Sequence, residues 1–579
     1  MRTKHLIFLL FLFGGVLWAQ DQEKLGIQEV QVTKSYTPSL SDVFKIRAVP
    51  EAIDSLKSMK TPIDFKLLDV PVVSTFVPNK ATPLKLQRQE STIQYNSLLE
   101  LGVGNRGQLD LDFGTSIALD RQQFLGFDFL RHQRRNVPNT VLKSGQSQTL
   151  IGVAHDYYTN NSHSSQQLRF ETHGLNYYGI PTTNDLVAQF QFENLDPKQT
   201  RNFLKGVSHW EWYDSFVQKA TLSLQHTSDY FDTSEQLVHL KTQIRIPIFD
   251  AFLAIDPELD LVHSAFKRDY YDNEEQVFKQ LNFGTGLQFI NLKNRFKYKL
   301  GVRAYYLNSG QSDETQKLFL YPDLTLLYQG KKSKIRPYLT LDGALENNSY
   351  TAFSDQNPYI APSLVLMPTD RQWAAKLGFN TVFDTGVSFG FESFYTQKRW
   401  APLFQKLAFN PITPLVSYGF TNSFEVLYDN QKTYGARILS SLELQENNRI
   451  DINIDYAHYD QDTQVVAWNL PNLTANIKGN FLFFDRLGLF IDMHYFGNRT
   501  VANRSVFLNQ SPASNTPEEV RIKGVTQTQI ESNYRLNDQW NVFVKSQFFF
   551  GESAQLWYHF PTYNRLFLLG IRYQFDLTL

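Results

Sequence analysis

From about Thr92 to Leu579 the chain alternates apolar and polar residues in run after run, and this two-residue period constrains its fold more than any other feature. Successive strand side chains point to opposite faces, so each run builds a strand with one oily and one wet face. The clearest run closes the chain. Phe567, Leu569, Ile571, Tyr573 and Phe575 share one parity, while Leu568, Gly570, Arg572, Gln574 and Asp576 share the other. Gln108–Leu119 sets Leu109, Leu111 and Phe113 against Asp110, Asp112 and Gly114, and Ile450–Tyr459, Leu473–Phe483 and Thr526–Arg535 repeat the pattern. Carboxylates at consecutive positions of one face repel each other and lose hydration in a packed core. The polar face therefore needs water.

Composition narrows where the oily face goes. Aromatics are 15% of the chain, with 29 Tyr, 47 Phe and 8 Trp against 4 Met, a bias that lipid-facing strands with interfacial girdles explain and a large soluble β protein also allows. The net charge of −1 offers no basic field to nucleic acid, which is not expected as a partner. With no Cys there are no disulfides, thiolate metal sites or Cys nucleophiles, and no N-terminal Cys to carry lipid. Arg2 and Lys4 precede an apolar run from Leu6 to Trp18, which reads as a cleavable secretory signal over residues 1–19. That run is shorter than the roughly 20 residues of a membrane helix, and no later stretch is more apolar. A membrane form of this chain is a barrel.

Residues 20–91 lack the period of the longer stretch beyond them. Pro38, Pro50, Pro62, Pro71, Pro78 and Pro83 punctuate them, which predicts an extended periplasmic or lumen-threading segment with one short helix near Glu51–Met59. Residues 92–579 are read as an all-β transmembrane antiparallel barrel, closed by pairing of the last strand with the first. About 490 residues at roughly 22 per strand and connection give about 22 strands, within a range of about 16 to 22. Tight turns are expected at Asn105-Arg106-Gly107, Gln329-Gly330-Lys331, Asp429-Asn430-Gln431-Lys432, Asn447-Asn448-Arg449 and Asn537-Asp538-Gln539. Longer loops are expected at His132–Ser147, Thr182–Thr200, Ser309–Lys317, Thr351–Asp370 and Gly497–Glu519. The pairs Tyr157-Tyr158, Tyr177-Tyr178, Tyr270-Tyr271 and Tyr305-Tyr306 suit an interfacial girdle or ordinary sheet packing.

Gly26–Lys34, reading GIQEVQVTK, resembles the segment that opens TonB-dependent outer-membrane receptors. VTKSYTPSLSDVFKI, VPVVSTFVPNKATP, LELGVGNRGQLDLDF and FSDQNPYIAPSL, from residues 32, 70, 99 and 353, look like a plug-poor group of receptor-like barrels of Gram-negative bacteria. The resemblance implies an outer-membrane location and energised uptake, with Glu29, Val30, Gln31, Val32 and Thr33 pairing with the periplasmic TonB energy-coupling protein. Such pairing is β-augmentation, and Val30 and Val32 share one face as it requires. Receptors of this class carry a folded plug with glycine-rich signatures, absent between Thr33 and Thr92 here. Residues 20–91, a partner or inward-folded loops must then fill the lumen.

Histidines are scattered singly, without a G-x-S-x-G or H-E-x-x-H setting, so no catalytic residue, metal site or cofactor is expected. Three functions stay open. An uptake receptor would line its path with Asp110, Asp112, Glu425, Lys478, Glu531 and Arg572. A non-transporting scaffold would bind envelope proteins or surface lipoproteins through its loops, and a passive diffusion channel would need neither. All three require outer-membrane lipid and the outer-membrane insertion machinery.

Overall fold

The computed structural model describes residues 95–180, 195–271, 273–309, 317–330, 333–383, 386–409, 417–445, 447–503, 518–551 and 554–578. The signal, the Pro-punctuated segment, its short helix and the coupling-like stretch Glu29–Thr33 lie outside them.

The alternating runs form one 22-stranded antiparallel sheet in which chain neighbours pair. The first strand, Ser97–Gly104, pairs on one side with Leu109–Ala118 and on the other with the last strand, Arg565–Phe575. The sheet is thus closed into a barrel, and no edge presents unpaired N–H and C=O groups to lipid, where each would cost several kcal/mol. The seam runs from Ser97 opposite Phe575 to Gly104 opposite Leu568. Two asparagines extend it beyond the strands. The Asn96 amide donates to Leu577 O at 2.7 Å and accepts from Leu577 N at 2.7 Å, and Asn105 Oδ1 accepts from Phe567 N at 3.0 Å. No helix among the described residues is long and apolar enough to cross a membrane.

The two rims differ. One carries the start of the first strand, the end of the last and short turns such as 249–250 and 484–486, and the other carries long connections, including 135–145, 347–368 and 551–564. Asn105-Arg106-Gly107 is a tight turn, but it lies on the long-loop rim. Asp429-Asn430-Gln431-Lys432 is not a turn. It lies inside the strand Phe424–Gln445, paired through Asp429 with Ala401 and through Gln431 with Gln461. Its polar composition serves the loop above: the Asp429 carboxylate accepts from Thr463 N at 3.0 Å, Thr463 Oγ1 at 3.0 Å and Gln464 N at 2.8 Å.

Outward parity is apolar and exposed, as Val103, Val153, Leu168, Phe170 and Leu204 illustrate. An apolar outward face of this kind matches the lipid-facing surface of a membrane barrel. Inward parity carries acids and bases in cross-strand pairs around the wall, among them Arg303 and Lys299 on Asp323, and Lys241 on Glu258. The Tyr pairs divide between these environments. Tyr306 is exposed beside buried Tyr305, whereas Tyr177, Tyr178 and Tyr270 are buried under the loops and form no girdle.

Candidate functional site

Described loops of the long-loop rim fold inward and pack against one another. Loops from around the ring bring Val137, Leu142, Tyr177, Tyr178, Tyr270, Tyr359, Tyr418 and Phe560 into one buried cluster. Its rings pack face to face and edge on: Tyr359 stacks on Phe560 at 3.7 Å, and Tyr178 meets Phe560 at 5.1 Å and 74°. Burial pushes the Tyr177 and Tyr359 hydroxyls up to about 12, so both remain donors. Together these loops form a cap.

Its centre is a helix, Tyr350–Gln356, in the connection 347–368. A helix start leaves its first N–H groups without intrahelical partners, and here those of Tyr350, Thr351 and Ala352 are all satisfied. Ser349 caps it, its Oγ accepting from Ala352 N at 3.1 Å and its carbonyl from Phe353 N at 3.0 Å. The buried Glu235 carboxylate, on the barrel wall, accepts from Tyr350 N at 2.7 Å and Thr351 N at 3.0 Å. A negative charge at a helix N-terminus is also favoured by the helix dipole. Tyr350, Phe353, Ile360 and Leu364 then pack against Phe266, Phe278 and Val426 of the wall.

Arg201 clamps the same loop from the other side. It is 1% exposed and donates through Nε to Tyr350 Oη at 3.0 Å, Nη1 to Pro358 O at 2.8 Å and Nη2 to Ile360 O at 3.3 Å. Tyr350 Oη donates to Asp229 Oδ2 at 2.7 Å, so the arginine has an acid one hydroxyl away. A second buried base sits nearby in the cap: Lys406 Nζ lies 2.7 Å from His559 Nδ1 and 3.3 Å from Gly179 O. Burial first, and then Lys406, push the His559 imidazole down to about 2, so the ring is neutral, and burial likewise pushes the Lys406 amine well below its usual range.

Below the cap the wall is charged. At the seam, Arg572 donates to Glu100 Oε2 through Nε at 2.8 Å and Nη2 at 2.6 Å, and to Glu531 Oε1 at 3.2 Å, while Lys545 pairs with the other Glu100 oxygen. Both cations flank the buried Phe543 ring, at 4.8 and 5.2 Å. Glu100 stands directly opposite Asp112, a like-charge pair that destabilises a sheet unless it is offset. Arg572, Lys545 and His132, whose Nε2 lies 2.8 Å from Asp112 Oδ1, supply the offset. Asp110 and Asp112 are buried, each with one carboxylate oxygen that has no hydrogen-bond partner. A cleft of about 270 Å³ between this wall and Pro358 of the cap is lined by His132, Gln146, Gln148 and His173.

Four of the six candidate lumen residues, Asp110, Asp112, Glu531 and Arg572, therefore meet at the seam. Lys478 lies on an adjoining stretch of wall between Asp451 and Asp492, with its Nζ 3.7 Å from Asp492. Glu425 is not part of either group. It sits at the loop rim, where Tyr271 Oη donates to it at 2.5 Å. On the closing strand Phe567, Leu569 and Ile571 are exposed, and Tyr573 stacks on Trp540 at 4.4 Å and on Phe575 at 5.2 Å. Sequence reasoning missed Arg201, Glu235 and Asp229, which sit at strand ends without any local pattern. Ser349 before a helix-compatible stretch was the one signal of the cap helix. Among the described residues no group of three or more His, Asp or Glu is placed to hold a metal ion.

A closed 22-stranded barrel with a lipid-facing exterior, a charged interior and long loops on one rim has the fold of TonB-dependent outer-membrane receptors. Solved structures agree with it over most of their length. The FrpB iron transporter from Neisseria meningitidis superposes with a TM-score of 0.59 at 11% identity, covering 83% of this chain and 82% of that one. The siderophore receptor PirA from Acinetobacter baumannii gives 0.59 at 11%, covering 84% and 81%. The ferric-catecholate import receptor Fiu from K12 E. coli gives 0.58 at 9%, covering 83% and 82%. No protein-family model matches the sequence, and no curated protein matches it.

Proposed function

We propose that this chain is an outer-membrane receptor and transport barrel that captures an unidentified ligand at its loop cap and takes it up through the lumen. The observation that carries this reading is the clamped cap. A passive diffusion channel needs a mouth open at rest, whereas here buried Arg201 and Glu235 hold the helix loop 347–368 across the mouth. These holds are non-covalent and come from the wall, so the loop can be released by a ligand that competes for them. Beneath it, Glu531, Arg572 and Lys478 set paired charges on the wall that a passing ligand would meet, beside the buried Asp110 and Asp112. The solved receptors similar to this chain are named for iron and siderophores, which supports the same class of uptake without fixing the cargo.

Energy for release comes, in this proposal, from the periplasmic TonB protein, whose sheet edge Glu29–Thr33 would join as an extra strand. The test is a pull-down of the mature protein with the periplasmic coupling domain, comparing the natural chain with one lacking Gly26–Lys34. Binding that the deletion abolishes supports energised uptake. Absence of binding in both refutes the coupling and favours a scaffold that binds other envelope proteins or surface lipoproteins.

A further inference from the structure

The outward face of the seam combines an apolar groove with a cluster of arginines. Leu101 and Val103 of the first strand, Leu109 of the second, Val542 of Trp540–Phe550, and Leu569 and Ile571 of the last line a groove of about 430 Å³, floored by the backbone of Gly102 and Gly570. Val103 and Leu109 flank the Asn105–Gly107 turn, so the top of the groove ends at that turn. Two exposed arginines stand at that turn, and a third, Arg565, lies on the outward parity of the last strand two residues before Phe567. Arg106 is at the tip of the turn, Arg135 N donates to Arg106 O at 3.0 Å, and the carbonyl of Arg565 accepts from Asn105 Nδ2 at 3.4 Å.

Gly107 shapes this arrangement. Its φ is +59°, and a Cβ there would stand 2.5 Å from Arg135 Cδ and Nε, so the guanidinium stem lies across the turn toward Arg106. The two arginines and Asn136 line one open cleft. Arg131, also on the outward face, donates only to Thr149 Oγ1 and Gln133 Oε1. Among the described residues none of the four arginines forms an ion pair with a carboxylate. The outward parity of the five seam strands holds no Asp or Glu at all, although their inward parity holds Glu100, Asp110, Asp112 and Asp128. An unneutralised basic cluster directly above an oily groove matches a ligand with an anionic head and a hydrocarbon tail. Long loops mark the outer leaflet.

We propose that the closing seam binds a phosphorylated, acylated glycolipid of the outer leaflet, of the lipid A type, with one acyl chain in the groove and a phosphate held by Arg106, Arg135 and Arg565. Guanidinium forks match phosphate oxygens in pairs, and two arginines close together favour a doubly charged phosphate over a phosphodiester. The bound lipid covers the closing seam between the first and last strands.

The test is native mass spectrometry of the full-length protein in detergent, titrated with diphosphoryl lipid A, monophosphoryl lipid A or phosphatidylglycerol. The natural chain should retain one diphosphoryl lipid A and hold it more tightly than the other two probes. Arg106→Gln/Arg135→Gln, both exposed loop positions, should weaken it by about tenfold or more. Leu109→Trp should weaken it through the groove while leaving every arginine in place. Heat-modifiable gel mobility establishes that each variant is folded. Equal retention by the arginine variant, or phosphatidylglycerol binding as tightly as diphosphoryl lipid A, overturns the headgroup site, and unaltered binding by a folded Leu109→Trp protein overturns the acyl groove.

Discussion

Replacing Arg201 by Ala should unlatch the cap without unfolding the barrel. The side chain is buried and makes three contacts of 2.8 to 3.3 Å that hold Tyr350, Pro358 and Ile360. Hydrogen bonds from a charged group contribute about 1.5–3 kcal/mol each, but burying the guanidinium offsets much of that sum. The deletion also strands the Pro358 carbonyl, while Ile360 O keeps the Tyr177 hydroxyl, and it leaves Asp229 facing Tyr350 without the cation behind it. Removing one member of such a buried set costs about 3–5 kcal/mol. Because the cap contributes no barrel strand, this cost falls on the closed loop rather than on the sheet, which raises the open fraction on the order of 10²–10⁴-fold. The chain has no Cys, so one introduced thiol is a clean reporter. Ser354→Cys is nearly isosteric and lies buried in the helix. Its maleimide labelling should accelerate by that factor in the Arg201→Ala background, while a Cys at exposed Asn139 labels equally in both. A change smaller than about threefold, with heat-modifiable mobility intact, would refute the view that Arg201 holds the cap closed.

Glu100→Ala should lower the urea midpoint of the folded barrel by an amount equivalent to about 3–5 kcal/mol, because it strands Lys545 and half of the Arg572 pairing at the seam. Adding Lys545→Met should recover part of that loss, since Arg572 keeps Glu531; no recovery would mean the pair is not coupled. The cap should also loosen in acid. His559 is neutral when closed, its ring held down at about 2, and takes a proton at about 6.5 once exposed, so its contribution to closure is fully present above that value and is lost as pH falls below it; Lys406, whose amine burial pushes well below its usual range, adds a loss of the same sign that begins at higher pH. At pH 5 the His559 loss is about 2 kcal/mol. Labelling of Ser354→Cys relative to a Cys at exposed Asn139, a ratio that cancels the loss of thiolate in acid, should rise between pH 7 and pH 5, and His559→Gln should flatten that response; Asp355, whose carboxyl burial raises, acts with the opposite sign. Asp429→Ala removes the acceptor of Thr463 and Gln464, and limited proteolysis should then cut the 462–472 loop faster than in the natural chain.

The wall of this protein is written locally. A period of two needs only neighbouring residues to state which face is oily, and so the strands Leu473–Phe483 and Val525–Arg535 stand where alternation puts them. Strand number follows from length and from the thickness that each strand must span. Closure follows too, because an unpaired edge is intolerable in lipid. The sequence misled where polarity was taken for a turn: Asp429–Lys432 is polar because Asp429 holds a loop from within a strand.

The cap could not be read in advance. Arg201 meets its loop across 149 to 159 residues and Glu235 across 115 and 116, distances over which no local period carries information. Tyr177, Tyr270 and Phe560 look in the sequence like any interfacial aromatics, and only the closed ring brings their loops over one mouth. The same holds for the seam, where Glu100 and Arg572 lie 472 residues apart until the last strand pairs with the first. Alternation, which each strand states on its own, determined that the chain would be a barrel; what fills its mouth and which charges meet on its wall were decided by closure, because a circular sheet makes neighbours of residues that the chain keeps far apart.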